Sequence, residues 1–322
     1  MDTRRITGVS VVVPTMNEER SIVSLLDALA GQTLRPAEIV VADGGSTDRT
    51  RELVREFAAR SRIPVVLLEG GRGLPGRNRN LGLARASREW VACVDAGTLP
   101  RADWLERLVA AAERDPDARV VYGQYEPLTD DFFTRCSAVV YLPPPGEVVR
   151  STASLLMHRT AWEAAGPFRE DLRSAEDLLF FRALDAARVP AAYARDAFVE
   201  WELKRTASDT FRKFTSYSRN NLRAGLAREW QYGVARFYAV LLAAAVAGLL
   251  FRPALLAVPL LFAARAARRA WRWHPRAAAL FNVPRLLMVT WLNLVIDAAT
   301  FYGTFQWLVH DRAGVPEEKD GG

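Results

Sequence analysis

Three acidic features have the residue types and placement to do chemistry. In ADGGSTD (42–48) Asp43 ends an apolar run. A carboxylate there accepts a hydrogen bond from a base N–H or a ribose hydroxyl, while Ser46 and the helix N-terminus behind it present donors to an anion. Asp43, Ser46 and Asp48 would serve equally to cap that helix. In WVACVDAG (90–97) Asp95 emerges from a buried run. A lone carboxylate in that position binds a divalent cation bridging phosphates, or caps a turn at Gly97. In AEDLLFF (175–181) Glu176 and Asp177 open a helix, whose dipole favours acids in any case. Each feature alone has a structural explanation. Their order in one domain followed by an apolar tail is hard to assemble by chance.

The elements that must position these acids alternate. VSVVVP (9–14) is a β-branched run ending in a breaker, and from about 18 to 30 the period becomes helical, with Ile22, Leu25, Leu26 and Leu29 on one face. AEIVVADGG (37–45) reads as a second strand, with Ser46 as N-cap of a helix to about Ala59. VVLLE (65–69) is a third strand, followed by a loop, GGRGLPGRNRN (70–80). WVACVDAG carries a fourth, then a helix at 103–114 and a fifth strand at RVVYG (119–123). Strands alternating with helices predict an α/β fold with a mostly parallel, doubly wound sheet covered on both faces. Ligands of such sheets sit at the carboxyl ends of the strands, where all the acidic and glycine-rich turns found here fall.

Composition narrows the class. The chain has 322 residues, half of them hydrophobic and a quarter charged, which excludes wholesale disorder and collagen or coiled-coil identity. Its +6 charge is almost all arginine, Lys204, Lys213 and Lys319 being the three lysines. Guanidinium groups suit bidentate binding of phosphate. Nucleic acid is not the expected partner, because the clearest basic cluster, 265–276, abuts an apolar segment. Cys93 and Cys136 form no CxxC pair and argue against a disulfide scaffold or structural zinc, in keeping with a reducing cytoplasm. No signal peptide is expected, since the first apolar run is short. His158, after the apolar SLLM, reads as structural.

The head resembles the family 2 glycosyltransferases, whose catalytic domain has the GT-A fold. The match runs from about Val9 to Leu184 through VVVPTMNEE (11–19), EIVVADGGSTD (38–48), RNRNLGLARA (77–86), VACVDAG (91–97) and SAEDLLFFRAL (174–184). The resemblance implies transfer of a sugar from a nucleotide-sugar donor with inversion at the anomeric carbon. It implies that Pro14, Thr15 and Glu18 line the nucleotide pocket, that Asp43 bonds the base with Ser46 nearby, and that Arg77, Arg79 and Asn80 border the nucleotide. Asp95 would be the first acid of a motif that holds Mg2+ or Mn2+ against the diphosphate, and Asp177, beside Glu176, the base that deprotonates the acceptor. Two departures stand out. Gly97 replaces the second acid of the metal motif, which puts the metal in doubt, and Gly44 replaces an acid frequent in relatives.

The tail differs from the head. Residues 207–230 read as an aromatic and basic helix suited to a membrane interface or to packing on the head, where polymerising relatives carry QxxRW and this chain has YSRNN; Arg219 there is a candidate for the diphosphate. From 237 to 264 the only charged residue is Arg252, and from 286 to 309 it is Asp297. Arg252-Pro253 splits the first window into a hairpin of helices, 237–251 and 254–264, because a single span would bury the arginine at about 2.5–3.5 kcal/mol. Asp297 is expected to face other helices or an aqueous cavity. The arginines of 265–276 lie on the cytoplasmic side by the positive-inside rule, and the tail after His310, with four acids against two bases, lies outside.

The expected organisation is a catalytic domain over 1–205, a juxtamembrane helix over 206–232, a membrane region over 233–310 and a flexible tail over 311–322. The expected protein is a multi-pass enzyme of the cell membrane with a cytoplasmic head. It would transfer one sugar per event to a lipid, lipid-linked glycan or surface polysaccharide. The alternative is a catalytically degenerate, nucleotide-sugar-binding membrane scaffold.

Overall fold

A computed structural model describes residues 5–274, Leu280 and 282–312. The chain divides into two compact units: 1–128 with 148–202, and 129–147 with 203–322. The division at 202/203 lies close to the expected boundary at 205, but the second unit also draws in 129–147.

The first unit is built on eight strands: β1 (Val9–Thr15), β2 (Glu38–Asp43), β3 (Val65–Glu69), β4 (Trp90–Cys93), β5 (Thr98–Pro100), β6 (Val120–Leu128), β7 (Leu155–His158) and β8 (Ala191–Glu202). They lie in the order β3-β2-β1-β4-β7-β6-β8-β5. β1 pairs in parallel with β2 and β4, and β2 with β3; β7 runs antiparallel to β4 and β6, and β5 to β8. The helices are α1 (Ile22–Ala30), α2 (Thr50–Arg60), α3 (Pro75–Arg85) and α4 (Trp104–Arg114), then, in chain order, α5 (Phe132–Tyr141) of the second unit, and α6 (Arg159–Ala165) and α7 (Glu176–Ala186). Val11 and Val13 of β1 pack with α1, α2 and α4 on one face of the sheet, and Val12 packs with α3, α6 and α7 on the other. Burial on both faces is why the strand reads as an unbroken apolar run.

Two local expectations change. The segment 70–80 is not loop throughout, because α3 begins at Pro75, whose fixed φ and missing N–H suit the first turn. Ser46 does not cap α2, which begins at Thr50. The Ser46 N–H and hydroxyl both turn back to Asp43, and Asp48 Oδ1 instead accepts from Thr50 N at 3.0 Å.

Gly82 sets how closely α3 lies on β1. A Cβ there would stand 2.3 Å from Val12 Cγ1, inside the fully buried part of the sheet. Alanine ordinarily improves a helix by about 1 kcal/mol over glycine. Here the overlap outweighs that gain, and Gly82→Ala is expected to lower stability by about 1–3 kcal/mol. Urea unfolding with an unchanged midpoint would show instead that α3 shifts without cost.

The second unit comprises α5, α8 (Ala207–Arg223), α9 (Gln231–Leu250), α10 (Ala257–Trp273) and α11 (Val283–Gln306). The α8 helix stops at Arg223 rather than running to 230. At Arg252-Pro253 a short 3-10 turn joins α9 to α10; against the expected helices 237–251 and 254–264, α9 already begins at Gln231, and α10 begins at Ala257 and continues through Arg265, Arg268, Arg269 and Arg272. Arg276 and residues 313–322 lie outside the described residues. Asp297 is fully buried and faces other helices: Arg265 binds both its oxygens and the Tyr238 hydroxyl donates at 3.1 Å. Two helical segments are long and apolar enough to cross a membrane, Gln231–Leu250 with mean hydropathy 1.9 and Val283–Asp311 with 1.4. At the hairpin tip Leu249 and Leu250 are 83% and 93% exposed.

Candidate active site

The acids singled out in the sequence are carried at the ends of the first unit's elements. Thr15 and Asp43 are register partners at the ends of β1 and β2. Asp43 is buried, accepting from Gly45 N at 2.9 Å, from Ser46 N at 3.0 Å and from the Ser46 hydroxyl. The turn-stabilising role is therefore real. Thr15 Oγ1 beside it is buried without a hydrogen-bond partner.

The loop after β1 is fastened to the turn after β2. Asn17 N donates to Ser46 Oγ at 2.9 Å, Glu18 N to Thr50 Oγ1 at 2.7 Å and Glu19 N to Asp48 Oδ2 at 3.1 Å, while Asn17 Oδ1 accepts from Thr47 N at 2.8 Å. Asn17 takes a left-handed φ of 57° to make these bonds. Nothing in the spacing of TMNEE identifies Asn17 and Thr50 as the residues that hold Glu18 in place.

Arg79, on α3, joins two of the acids across 97 residues of sequence. Its Nη2 donates to Asp95 Oδ1 at 2.7 Å and its Nη1 to Glu176 Oε1. The Arg79 and Glu176 side chains are each 5% exposed, that of Asp95 33%. Phe168 lies under the guanidinium, 5.7 Å from it. The cluster leaves Arg79 Nε and Glu176 Oε2 buried without hydrogen-bond partners, an unsatisfied polar capacity of the kind found at functional sites.

Asp177 follows at the start of α7. Ala175 before it adopts φ 70°, a left-handed conformation that costs an alanine about 1–2 kcal/mol, and this turn brings both acids into the first turn of the helix. Leu178 N donates to Asp177 Oδ1 at 2.8 Å. Burial, reinforced by repulsion from Glu176 and opposed by Arg79, raises the Asp177 carboxyl to about 6. A carboxylate tuned to that value is ionised at neutral pH and still basic enough to take a proton. Tyr125 on β6, which the sequence did not mark, is raised to about 12 by burial and then by the charge of Asp177, so its hydroxyl stays protonated. Burial likewise pushes Cys93 to about 12, which keeps that thiol out of nucleophilic chemistry.

The other expected positions take different places. Asn80 has its amide fully used: it donates to Phe168 O and Glu170 Oε1 and accepts from Phe168 N, all at 2.9 Å, and so pins the loop under Arg79. Arg77 donates to Arg72 O at 2.8 Å, bracing the loop after β3. Pro14 is buried within β1. Arg219 belongs to the helical unit, where Asp311 takes its guanidinium through both oxygens at 2.7 and 3.0 Å. His158 caps α6, accepting from Thr160 N.

The sequence profile described as glycosyl transferase family 2 matches residues 10–161, the segment that carries β1 to β4 and the Asp43, Arg79 and Asp95 positions. Over that segment, just under half of its length, the chain is similar to the family 2 glycosyltransferases. Its relatives include the poly(ribitol-phosphate) beta-N-acetylglucosaminyltransferase TarS of Staphylococcus aureus, 30% identical over 185 residues, 53% of this chain and 31% of that protein. Validoxylamine A glucosyltransferase of Streptomyces hygroscopicus is 35% identical over 153 residues, 46% of this chain and 33% of that protein. The chain thus spans about a third of the length of these curated relatives. The mannosyltransferase PcManGT of Pyrobaculum calidifontis, solved with GDP-Man and Mn2+, superposes with a TM-score of 0.57 at 22% identity over 94% of this chain and 87% of that one. At that identity the likeness is one of fold. The α/β sheet with its C-terminal helices is the GT-A arrangement that the motifs implied.

Nucleotide-sugar sites of GT-A domains commonly include a divalent ion, and the donor set here fits one. Asp95 commits only Oδ1 to Arg79, and three carboxylates, Asp95, Glu176 and Asp177, act on that one guanidinium. Such a negative surplus would attract a divalent cation. Among the described residues no three His, Cys, Asp or Glu side chains converge as a cage.

Proposed function

We propose that this chain is an inverting glycosyltransferase that moves one sugar per event from a nucleotide-sugar to a membrane-associated acceptor: a lipid, a lipid-linked glycan or a surface polysaccharide. The observation that carries the reading is the convergence of Asp95, Arg79, Glu176 and Asp177 in a chain similar to this family. The acceptor oxygen attacks the anomeric carbon as the sugar–phosphate bond breaks on the opposite side, so one ionised carboxylate must take the hydroxyl proton. Asp177 is that base. Glu176 keeps the Asp177 carboxyl basic and holds Arg79, and Arg79 in turn orients Asp95. When Mg2+ or Mn2+ is bound, Asp95 would hold it and the ion would offset the charge developing on the departing diphosphate. Thr15 and Asp43 would meet the nucleoside. No covalent sugar–enzyme intermediate is required.

The membrane part of the proposal is supported by the exposed apolar tip of the α9/α10 hairpin and by the two helices of sufficient length. Exposed apolar patches of this kind mark membrane or partner contact. The head would lie in the cytoplasm, beside the arginines of α10. Gly97 favours a second reading, a degenerate scaffold that binds a nucleotide-sugar without turning it over.

The test is a thermal-shift screen of the full chain against nucleotide-sugars, beginning with UDP-GlcNAc and GDP-Man, the donors seen in structurally similar proteins. A donor at about 100 times its Kd adds about 2.7 kcal/mol and raises the melting temperature by several degrees. Labelled product formed with membrane extract separates transferase from scaffold. Binding without product supports the scaffold, and absence of any stabilising donor rejects both.

A further inference from the structure

The acid missing from position 97 has a counterpart on another strand's loop. Gly97 adopts φ 83°, and a Cβ built on it would point at the Glu18 carboxylate, 3.5 Å from Oε2 and 3.7 Å from Oε1. The Glu18 carboxylate thus stands in van der Waals reach of position 97, beside the place from which a motif acid would project. Glu18 also has no basic partner among the described residues. Its carboxylate accepts from the Ser21 hydroxyl, and among the described residues it makes no ion pair with an arginine, lysine or histidine. Its backbone is fixed by Thr50 Oγ1, within the set of bonds that ties the β1 loop to the β2 turn. An unpaired carboxylate on a braced loop, beside the place from which a motif acid would project, has the properties of a preorganised cation ligand. Magnesium and manganese are hard cations that take oxygen donors, and one or two carboxylates with phosphate oxygens make an ordinary set for magnesium.

We infer that Glu18 takes over the role of the absent acid at 97, so that Glu18 and Asp95 together hold the divalent cation against the diphosphate. The inference rests on the nucleotide-sugar reading and deepens it. It explains how a motif reduced to one acid keeps two carboxylates at the ion: the second is supplied by β1's loop rather than β4's.

The experiment measures Mn2+ binding by electron paramagnetic resonance and calorimetry on the full chain, with UDP or GDP according to the donor screen, and nucleotide binding in excess chelator. Glu18→Gln is expected to weaken Mn2+ binding in the presence of nucleotide by at least about tenfold, since even outer-sphere substitutions cost about 10–100-fold. Nucleotide affinity in chelator is expected to stay within about twofold, a readout that direct contact with the ribose would move. Gly97→Asp added to Glu18→Gln is expected to restore Mn2+ binding, because aspartate tolerates left-handed backbone better than most residues. Wild-type Mn2+ affinity in Glu18→Gln overturns the inference, as does an equal loss of nucleotide affinity in chelator. So does a double variant that melts like the parent and fails to recover Mn2+ binding. A wild-type chain that binds no nucleotide at all rejects the underlying transferase reading, which is a different result from any of these.

Discussion

Asp177→Asn is expected to lower the transfer rate by about a thousandfold while leaving donor affinity within about twofold. The amide keeps the shape of the side chain and can still accept the 2.8 Å bond from Leu178 N, so the first turn of α7 is preserved. What it loses is the capacity to take a proton. In the wild type kcat/KM should be flat above pH 6 and fall about tenfold per pH unit below it, because the carboxyl titrates at about 6 and only its ionised form is a base. The same titration has a stability consequence of opposite sense to that of an ordinary salt-bridged acid. A carboxyl raised from 3.8 to about 6 binds its proton more tightly folded than unfolded, so its contribution is fully present below pH 4 and is lost as pH rises through 6. Asparagine carries no such loss. The variant should therefore melt higher than the wild type at pH 7 and no higher at pH 4. Turnover retained in Asp177→Asn would remove Asp177 from the role of base.

Arg79→Ala is expected to be the most destabilising single change in the site. It leaves the carboxylates of Glu176 and Asp95 without their shared cation, one of them deeply buried, and breaking a buried pair typically costs about 3–5 kcal/mol. For a unit of this size that is a fall in melting temperature of roughly 6–20 °C. Arg79→Lys keeps the charge but replaces a planar fork with a single ammonium that cannot present two parallel donors to two acids, so a substantial part of the loss should remain. The penalty comes from the uncompensated negative charge left in the site. A double-mutant cycle with Glu176→Gln isolates the pair, and a coupling below about 0.5 kcal/mol would show that Arg79 acts through packing on Phe168 instead.

Much of the first unit could be read from local pattern. The apolar runs at β1, β2 and β4 are buried on both faces and that of edge strand β3 is half-buried, and the turns that end them carry their own chemistry, so strand positions and the acids at their ends follow from neighbours a few residues away. The hairpin break at Arg252-Pro253 is of the same kind, since proline and a charge interrupt an apolar helix wherever it packs. The motif order was enough to imply the GT-A fold. Strands β5 and β7 are less legible: β5 is three residues long, and the four of β7 lack the acidic turn that marks the end of the equally short β4.

What the sequence could not decide was which side chains use each other. Ser46 reads as a helix cap by its type, yet its hydroxyl turns back to Asp43; Asn80 sits among arginines in a motif, yet all its bonds go to the 168–170 loop. Arg219 has the chemistry for a diphosphate, and Asp311 holds it. Arg79 stands 16 residues from one of its acids and 97 from the other. Local propensity and hydrophobic period act over a turn or a strand and determine which elements form and which acids end them. Pairing of charges across the sheet depends on strand order and helix docking, which place Arg79 between Asp95 and Glu176, and only the packing that buries the first turn of α7 raises Asp177, with Glu176 beside it and against the pull of Arg79, toward a working base.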